Sequence, residues 1–140
     1  MRITEAMSSY VEFIHADAPV REAAEMMGEL DVGALPVGTA ERLEGVVTDR
    51  DLLYRVVAQG LDASAVRVRD VLSRPVVTCR EDDQVRAVLD MMASHHIRRM
   101  AVLDAAGRVT GWVTLADLSR KLLVEDPALQ GALQRLTEAE

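Results

Sequence analysis

Residues Gly45–Leu52 read GVVTDRDL, and residues Gly111–Leu118 read GWVTLADL. Five of the eight positions are identical. Each stretch is apolar at first, then carries a threonine followed three residues later by an aspartate. That is the pattern of a strand running into a helix start. A phrase written twice in 140 residues makes the internal repeat the first matter to settle.

Sliding the chain by 65 residues brings Ser8 onto Ser73, Val11 onto Val76, Asp17 onto Asp82, Val20 onto Val85 and Val37 onto Val102. Met26–Met27 falls on Met91–Met92, and the offset then becomes 66 because the turn DAAGR is one residue longer than its counterpart. Both copies share one grammar. In the first, YVEFI alternates like a strand. Val20, Ala23, Ala24, Met27 and Leu30 then have helical spacing after Asp17. Gly33 supplies a turn, ALPV and LEGVV pair as a hairpin, and a helix from Asp49 to Gln59 ends at Gly60. In the second copy PVVT, a helix on Val85, Val88, Leu89 and Met92, MAVLD, RVTGWVT and LADLSRKLL repeat the order. The expected fold is therefore α+β (α/β), two β-α-β-β-α repeats over residues 1–62 and 63–124, related by a pseudo-twofold axis. A unit of about 60 residues is marginal alone, so the sheets are expected to share one core. Residues 125–140 read as a C-terminal tail whose Leu129, Leu133 and Leu136 lie on one side of a short helix.

Composition narrows the function. With 49% hydrophobic and 28% charged residues the chain is an ordinary globular protein. No apolar run approaches the roughly 20 residues of a membrane span, and MRITEAMSSY lacks the apolar core of a signal peptide. One cysteine, Cys79, precludes an internal disulfide, and a cytoplasmic location is expected. A net charge of -7 speaks against nucleic-acid or anionic-membrane partners.

The doubled unit, with G-h-x-T-x-x-D at the last strand-to-helix junction of each copy, resembles a pair of cystathionine-β-synthase (CBS) domains, or Bateman module. The resemblance covers roughly Arg2 to Leu123, and VGALPV followed by GVVTDRDL is similar to small stand-alone bacterial members. It implies a protein that is not an enzyme. It implies two inter-copy clefts for an adenosine-containing ligand (AMP, ADP, ATP or S-adenosylmethionine), a homodimer and an unidentified protein partner to which binding is signalled. The apolar residues Leu52, Leu53, Val56 and Val57 are the candidate dimer face.

Thr48 and Asp51 have two readings. One is a capping box, with an acid favourable to the helix dipole. The other, implied by the resemblance, is ribose binding, the carboxylate accepting from both hydroxyls. Arg98 and Arg99 suit phosphate, against the alternative of surface ion pairing. Carried over from the family, the first cleft combines Val46, Thr48, Arg50 and Asp51 with Val77, Thr78, Ile97, Arg98 and Arg99. The second combines Trp112, Thr114 and Asp117 with Glu12, Phe13, Val32 and Gly33. The second lacks a basic pair, since Gly33–Ala34 stands where the other copy has Arg98–Arg99. Trp112 replaces Val46, and an indole there either stacks on adenine or fills the slot, so the first cleft is the expected ligand site. His95 and His96 are adjacent and diverge on a helix, a poor metal pair. No nucleophile–base set and no general acid–base pair is evident, so neither a catalytic residue nor a catalytic cofactor is expected. The competing reading is a ligand-independent interaction module of the same fold with empty or occluded clefts.

Overall fold

The computed structural model describes residues 1–123 and 127–138. The first half contains α1 (Val20–Leu30), β1 (Ala34–Gly38), β2 (Leu43–Thr48) and α2 (Asp49–Leu52), which widens into a π-helical stretch over Leu53–Val57. The second half contains β3 (Thr78–Arg80), α3 (Val85–His95), β4 (Arg99–Leu103), β5 (Val109–Thr114) and α4 (Leu115–Leu123), followed by α5 (Pro127–Glu138). In each half the hairpin is antiparallel, with Ala34 opposite Thr48 in one and Arg99 opposite Thr114 in the other.

The leading strands are shorter than the sequence suggests. YVEFI contributes only a parallel bridge from Ile14 to Val37. Local bonds take up the chain before it, where the Tyr10 amide donates to Ser8 Oγ and the Ser8 hydroxyl donates to Tyr10 O. In the second half the strand begins at Thr78 rather than Pro75 and runs parallel to β4. The helix ends also differ from expectation. Asp31 and His96, at φ 55° and 54°, make the left-handed turns after α1 and α3, so Gly33 does not supply the turn. Gly33 is held for another reason: its carbonyl accepts the Asp49 N–H at 2.9 Å, and a Cβ there would lie 3.0 Å from Asp49 Oδ2. The second helix closes at Val57 with Ala58 as its cap, short of Gln59, and Gly60 makes the left-handed turn after it at φ 68°.

The two copies do not share one core. One apolar cluster gathers Val20, Ala23 and Met27 of α1 with Leu35, Val37, Val47 and Val56. The other gathers Val85, Val88 and Met92 of α3 with Met100, Val102, Val113 and Leu118. What joins them is an exchange of lead-in segments. Ile3, ahead of the first copy, is buried in the second cluster, whereas Val68, Val71 and Leu72, ahead of the second copy, are buried in the first. Both lead-ins form a 3₁₀ turn, Ile3–Glu5 and Val68–Asp70. Equivalent amides fasten them: Ile3 donates to Asp83 O and Val68 to Ala18 O, each at 2.9 Å. Fully burying an aliphatic side chain of this size is worth about 1.5–3 kcal/mol, so each copy contributes directly to the other's stability. Arg69 adds ion pairs to Asp17 and Glu44. Its hydrogen bond holds the Asp17 carboxyl below the usual range. That contribution is complete above the ordinary carboxylate pKa and is lost as pH falls through the lowered value.

The exchange also explains the glycine that opens each copy of the motif. A Cβ at Gly45 would lie 2.7 Å from Leu72 Cδ1 and 2.9 Å from Ser73 O, and one at Gly111 would lie 2.3 Å from Met7 Sδ. At Gly45 the crossing lead-in blocks a side chain with its backbone, whereas at Gly111 a side chain would have to displace the flexible Met7 side chain.

Of the candidate dimer face, Val56 is buried at 2% and Leu52 packs partly against the first core. Leu53 and Val57 remain exposed, with Tyr54 and Leu61 beside them. Leu52 and Val56, four residues apart, share the inward side of the helix, which leaves Leu53 and Val57 facing out. α5 contacts α4, and Leu136 is exposed. The side chains of Leu129 and Leu133, and the boundary at residue 124, lie outside the described residues.

Candidate functional site

A cleft of about 600 Å³ opens between the copies, within the range of small-molecule sites. The end of β2 contributes Val46 and Thr48, and the start of α2 contributes Asp49 and Arg50. The second lead-in supplies Ser73, Pro75, Val76 and Val77. The turn after α3 supplies His96, Ile97, Arg98 and Arg99, and Trp112 reaches it from β5. The lining thus has an apolar wall and three arginines against one aspartate. No carboxylate among the described residues forms an ion pair with Arg98 or Arg99. Arg50 sits over the Tyr54 ring, 5.5 Å from its centroid.

Most residues assigned to the first cleft are therefore brought together: Val46, Thr48, Arg50, Val77, Ile97, Arg98 and Arg99. Two are not on its wall. Thr78 is taken up in β3, opposite Ala101. Asp51 lies behind the wall and is the one buried charged residue among those described. Its Oδ2 accepts the Thr48 N–H at 2.9 Å, while Thr48 Oγ1 accepts the Asp51 N–H at 3.1 Å, so the capping box is formed. The Ser73 hydroxyl donates to Oδ1 and Oδ2 at 3.0 and 3.2 Å, and Arg55 Nη1 stands 3.5 Å from Oδ1. Ser73 was missing from the sequence-derived set, although its pairing with Ser8 at offset 65 marked it. Asp49, inside the T-x-x-D motif, was missing too.

In the second copy Thr114 and Asp117 make the same box, with bonds of 3.2 and 3.1 Å, and Arg120 donates to Asp117 at 2.6 Å. Trp112, assigned to the second cleft, lines the first. Glu12 accepts a hydrogen bond from the Tyr10 hydroxyl, Phe13 is half-buried, and Val32 is exposed. Arg99 reaches toward the second set as well, since a Cβ on Gly33 would be 3.5 Å from Arg99 Nη2.

Cys79 is buried, its thiol donating to Ala101 O at 3.7 Å. Burial pushes its pKa up to about 12, with Asp83 adding to the effect. It is a core residue without thiolate reactivity. Among the described residues no three His, Cys, Asp or Glu side chains gather as a metal-ligand set. No helix among them is long and apolar enough to cross a membrane.

Residues 3–58 and 68–124 each match the family model of the CBS domain. An uncharacterized protein of Methanopyrus kandleri is 36% identical over 98 residues, covering 69% of this chain. This chain spans half that protein's length. Hypoxic response protein 1 of Mycobacterium tuberculosis is 31% identical over 119 residues, covering 84% of this chain and 82% of its own. The solved CBS domain pair of protein MJ0100, in complex with 5′-methylthioadenosine and S-adenosyl-L-methionine, superimposes with a TM-score of 0.76 at 26% identity, covering 87% of this chain and 99% of that one. With both of its repeats matched, this chain belongs to the CBS domain family, as a tandem pair.

Proposed function

We propose that this protein is a ligand-sensing regulatory module, not an enzyme, and that its cleft receives an adenosine-containing nucleotide. The observation that carries this reading is the placement of Arg98 and Arg99, free of carboxylate partners among the described residues, in a cleft walled by Val46, Val77, Ile97 and Trp112. Guanidinium groups left unpaired beside an apolar slot suit a ligand with an anionic end and a flat, apolar end. The adenosine ligands bound by the MJ0100 pair support the nucleoside half of the assignment. Thr48 and Asp51 are the ribose readers in this proposal, with Arg98 and Arg99 at the phosphate. Binding between the copies shifts their relative pose in proportion to the ligand's differential affinity for the two poses, and a partner protein in the cytoplasm reads the shift.

A thermal-shift screen of AMP, ADP, ATP, GTP, S-adenosylmethionine and NADH tests the ligand class. A ligand at 100 times its Kd stabilises the fold by about 2.7 kcal/mol. Adenine nucleotides are expected to raise the melting temperature. If no compound does so at millimolar concentration, the interaction-module reading takes its place.

The same proposal includes a homodimer joined through exposed Leu53, Tyr54, Val57 and Leu61. Light scattering is expected to give twice the 15.4 kDa chain mass. A monomer insensitive to dilution refutes the dimer.

A further inference from the structure

The assignment of Asp51 to a ribose diol meets an obstacle in its surroundings, and the obstacle is specific to one residue. We propose that Ser73 determines ribose specificity by occupying the Asp51 carboxylate from within, so that Asp51 reads a ligand only when the Ser73 hydroxyl turns away. This inference rests on the nucleotide reading above.

A carboxylate offers about four lone-pair sites. The Thr48 N–H takes one on Oδ2 and is fixed there by the helix cap. Arg55 stands at 3.5 Å from Oδ1 and directs the same nitrogen at Val71 O and Leu72 O, at 2.6 and 3.1 Å. The remaining sites, on both oxygens, are spanned by the one proton of Ser73 at 3.0 and 3.2 Å. Ser73 lines the cleft and Asp51 does not, so Ser73 stands between the ligand space and the carboxylate. Its main chain is pinned to Val46, with the Ser73 N–H donating to Val46 O at 2.8 Å and the Val46 N–H to Ser73 O at 3.2 Å. Freeing Asp51 therefore takes a rotation about one side-chain bond and no displacement of the chain.

The second copy is an internal comparison. Ser8, equivalent to Ser73, makes the same two-way main-chain bridge to Trp112 at 2.9 Å in each direction. Its hydroxyl, however, donates to Tyr10 O at 3.2 Å and not to Asp117. The Asp117 side chain is 27% exposed, against 8% for Asp51. Equivalent carboxylates are thus held in two states, and the serine hydroxyl is a principal difference between them.

Titration calorimetry with AMP and 2′-deoxy-AMP on the wild type, Ser73→Ala, Ser73→Thr and Ser8→Ala tests the proposal. If the hydroxyl covers Asp51 about nine-tenths of the time, its removal strengthens AMP binding about tenfold. The gain for 2′-deoxy-AMP is smaller, so the ratio between the two ligands widens. Ser73→Thr keeps the hydroxyl and retains wild-type affinity, and Ser8→Ala changes nothing. The free Ser73→Ala protein melts at a lower temperature, because Asp51 has lost a partner. A purely structural Ser73 moves both nucleotides together. AMP affinity that is unchanged or weaker in Ser73→Ala, with binding still measurable, overturns the proposal. Absence of AMP binding to both the wild type and Ser73→Ala at millimolar concentration is a separate result: it removes the nucleotide reading and this inference with it.

Discussion

AMP is expected to bind this protein about 10- to 150-fold more tightly than 2′-deoxy-AMP. The range follows from one hydrogen bond to a charged acceptor, worth about 1.5–3 kcal/mol. Removing the 2′-hydroxyl takes away one of the two ribose donors that hold Asp51, a buried carboxylate, once the Ser73 hydroxyl has turned away from it. Asp51→Asn is the companion measurement. The amide keeps one oxygen, enough to accept the Thr48 N–H and preserve the helix cap, but it loses the second acceptor and the charge. AMP binding should weaken clearly, with a modest change in melting temperature. Asp117→Asn should weaken it less, because the first cleft carries the arginines. Equal affinity for the two nucleotides, measured by calorimetry, ends the ribose role of Asp51.

The sequence was informative wherever a feature is local or repeated. Two copies of the motif predicted both hairpins, and the apolar spacing of Val20, Ala23 and Met27, and of Val85, Val88 and Met92, marked the helix faces that are buried. The exchange of lead-ins was not legible. Self-alignment places Ile3 on Val68, but it cannot say whether either residue packs into its own copy or the other one. That choice is made by which core has the vacancy, and it is visible only in Gly45 and Gly111, whose missing side chains meet Leu72 and Met7. Short strands were over-read because YVEFI has the right alternation, while bonds between Ser8 and Tyr10 compete for its start. At the site, Val46, Thr48, Arg98 and Arg99 came from the motif and the resemblance. Trp112 was assigned to the second cleft by its equivalence to Val46, yet it reaches the wall of the first. Across the sheet, though, it pairs with Ala101, itself on the wall of the first cleft. The burial of Asp51 was hidden for the same reason as the exchange: its covering residue, Ser73, arrives on the swapped lead-in.

Arg98→Ala is expected to lower AMP affinity by about one to two decades while leaving adenosine nearly unchanged. A charge-assisted contact contributes about 1.5–3 kcal/mol, and each 1.4 kcal/mol is a factor of ten in Kd. Adenosine has no phosphate to lose, so the two ligands separate the contact from any general damage to the cleft. Arg98 is suited to this comparison because it is exposed and makes no ion pair with a described residue, so its removal strands no partner charge. The same logic gives a salt dependence. Arg98 faces solvent as well as the cleft, and raising the ionic strength should weaken AMP more than adenosine through screening of the wet part of the site. Capping alone makes a different pattern. If the motif serves only the helix start, Thr48→Ala lowers stability by ~1 kcal/mol and Arg98→Ala alters neither ligand. Calorimetry of both variants with both ligands, alongside thermal melts, therefore distinguishes a phosphate site from a capped helix with two arginines on its rim. If AMP and adenosine weaken together in Arg98→Ala, the residue shapes the cleft and does not read phosphate.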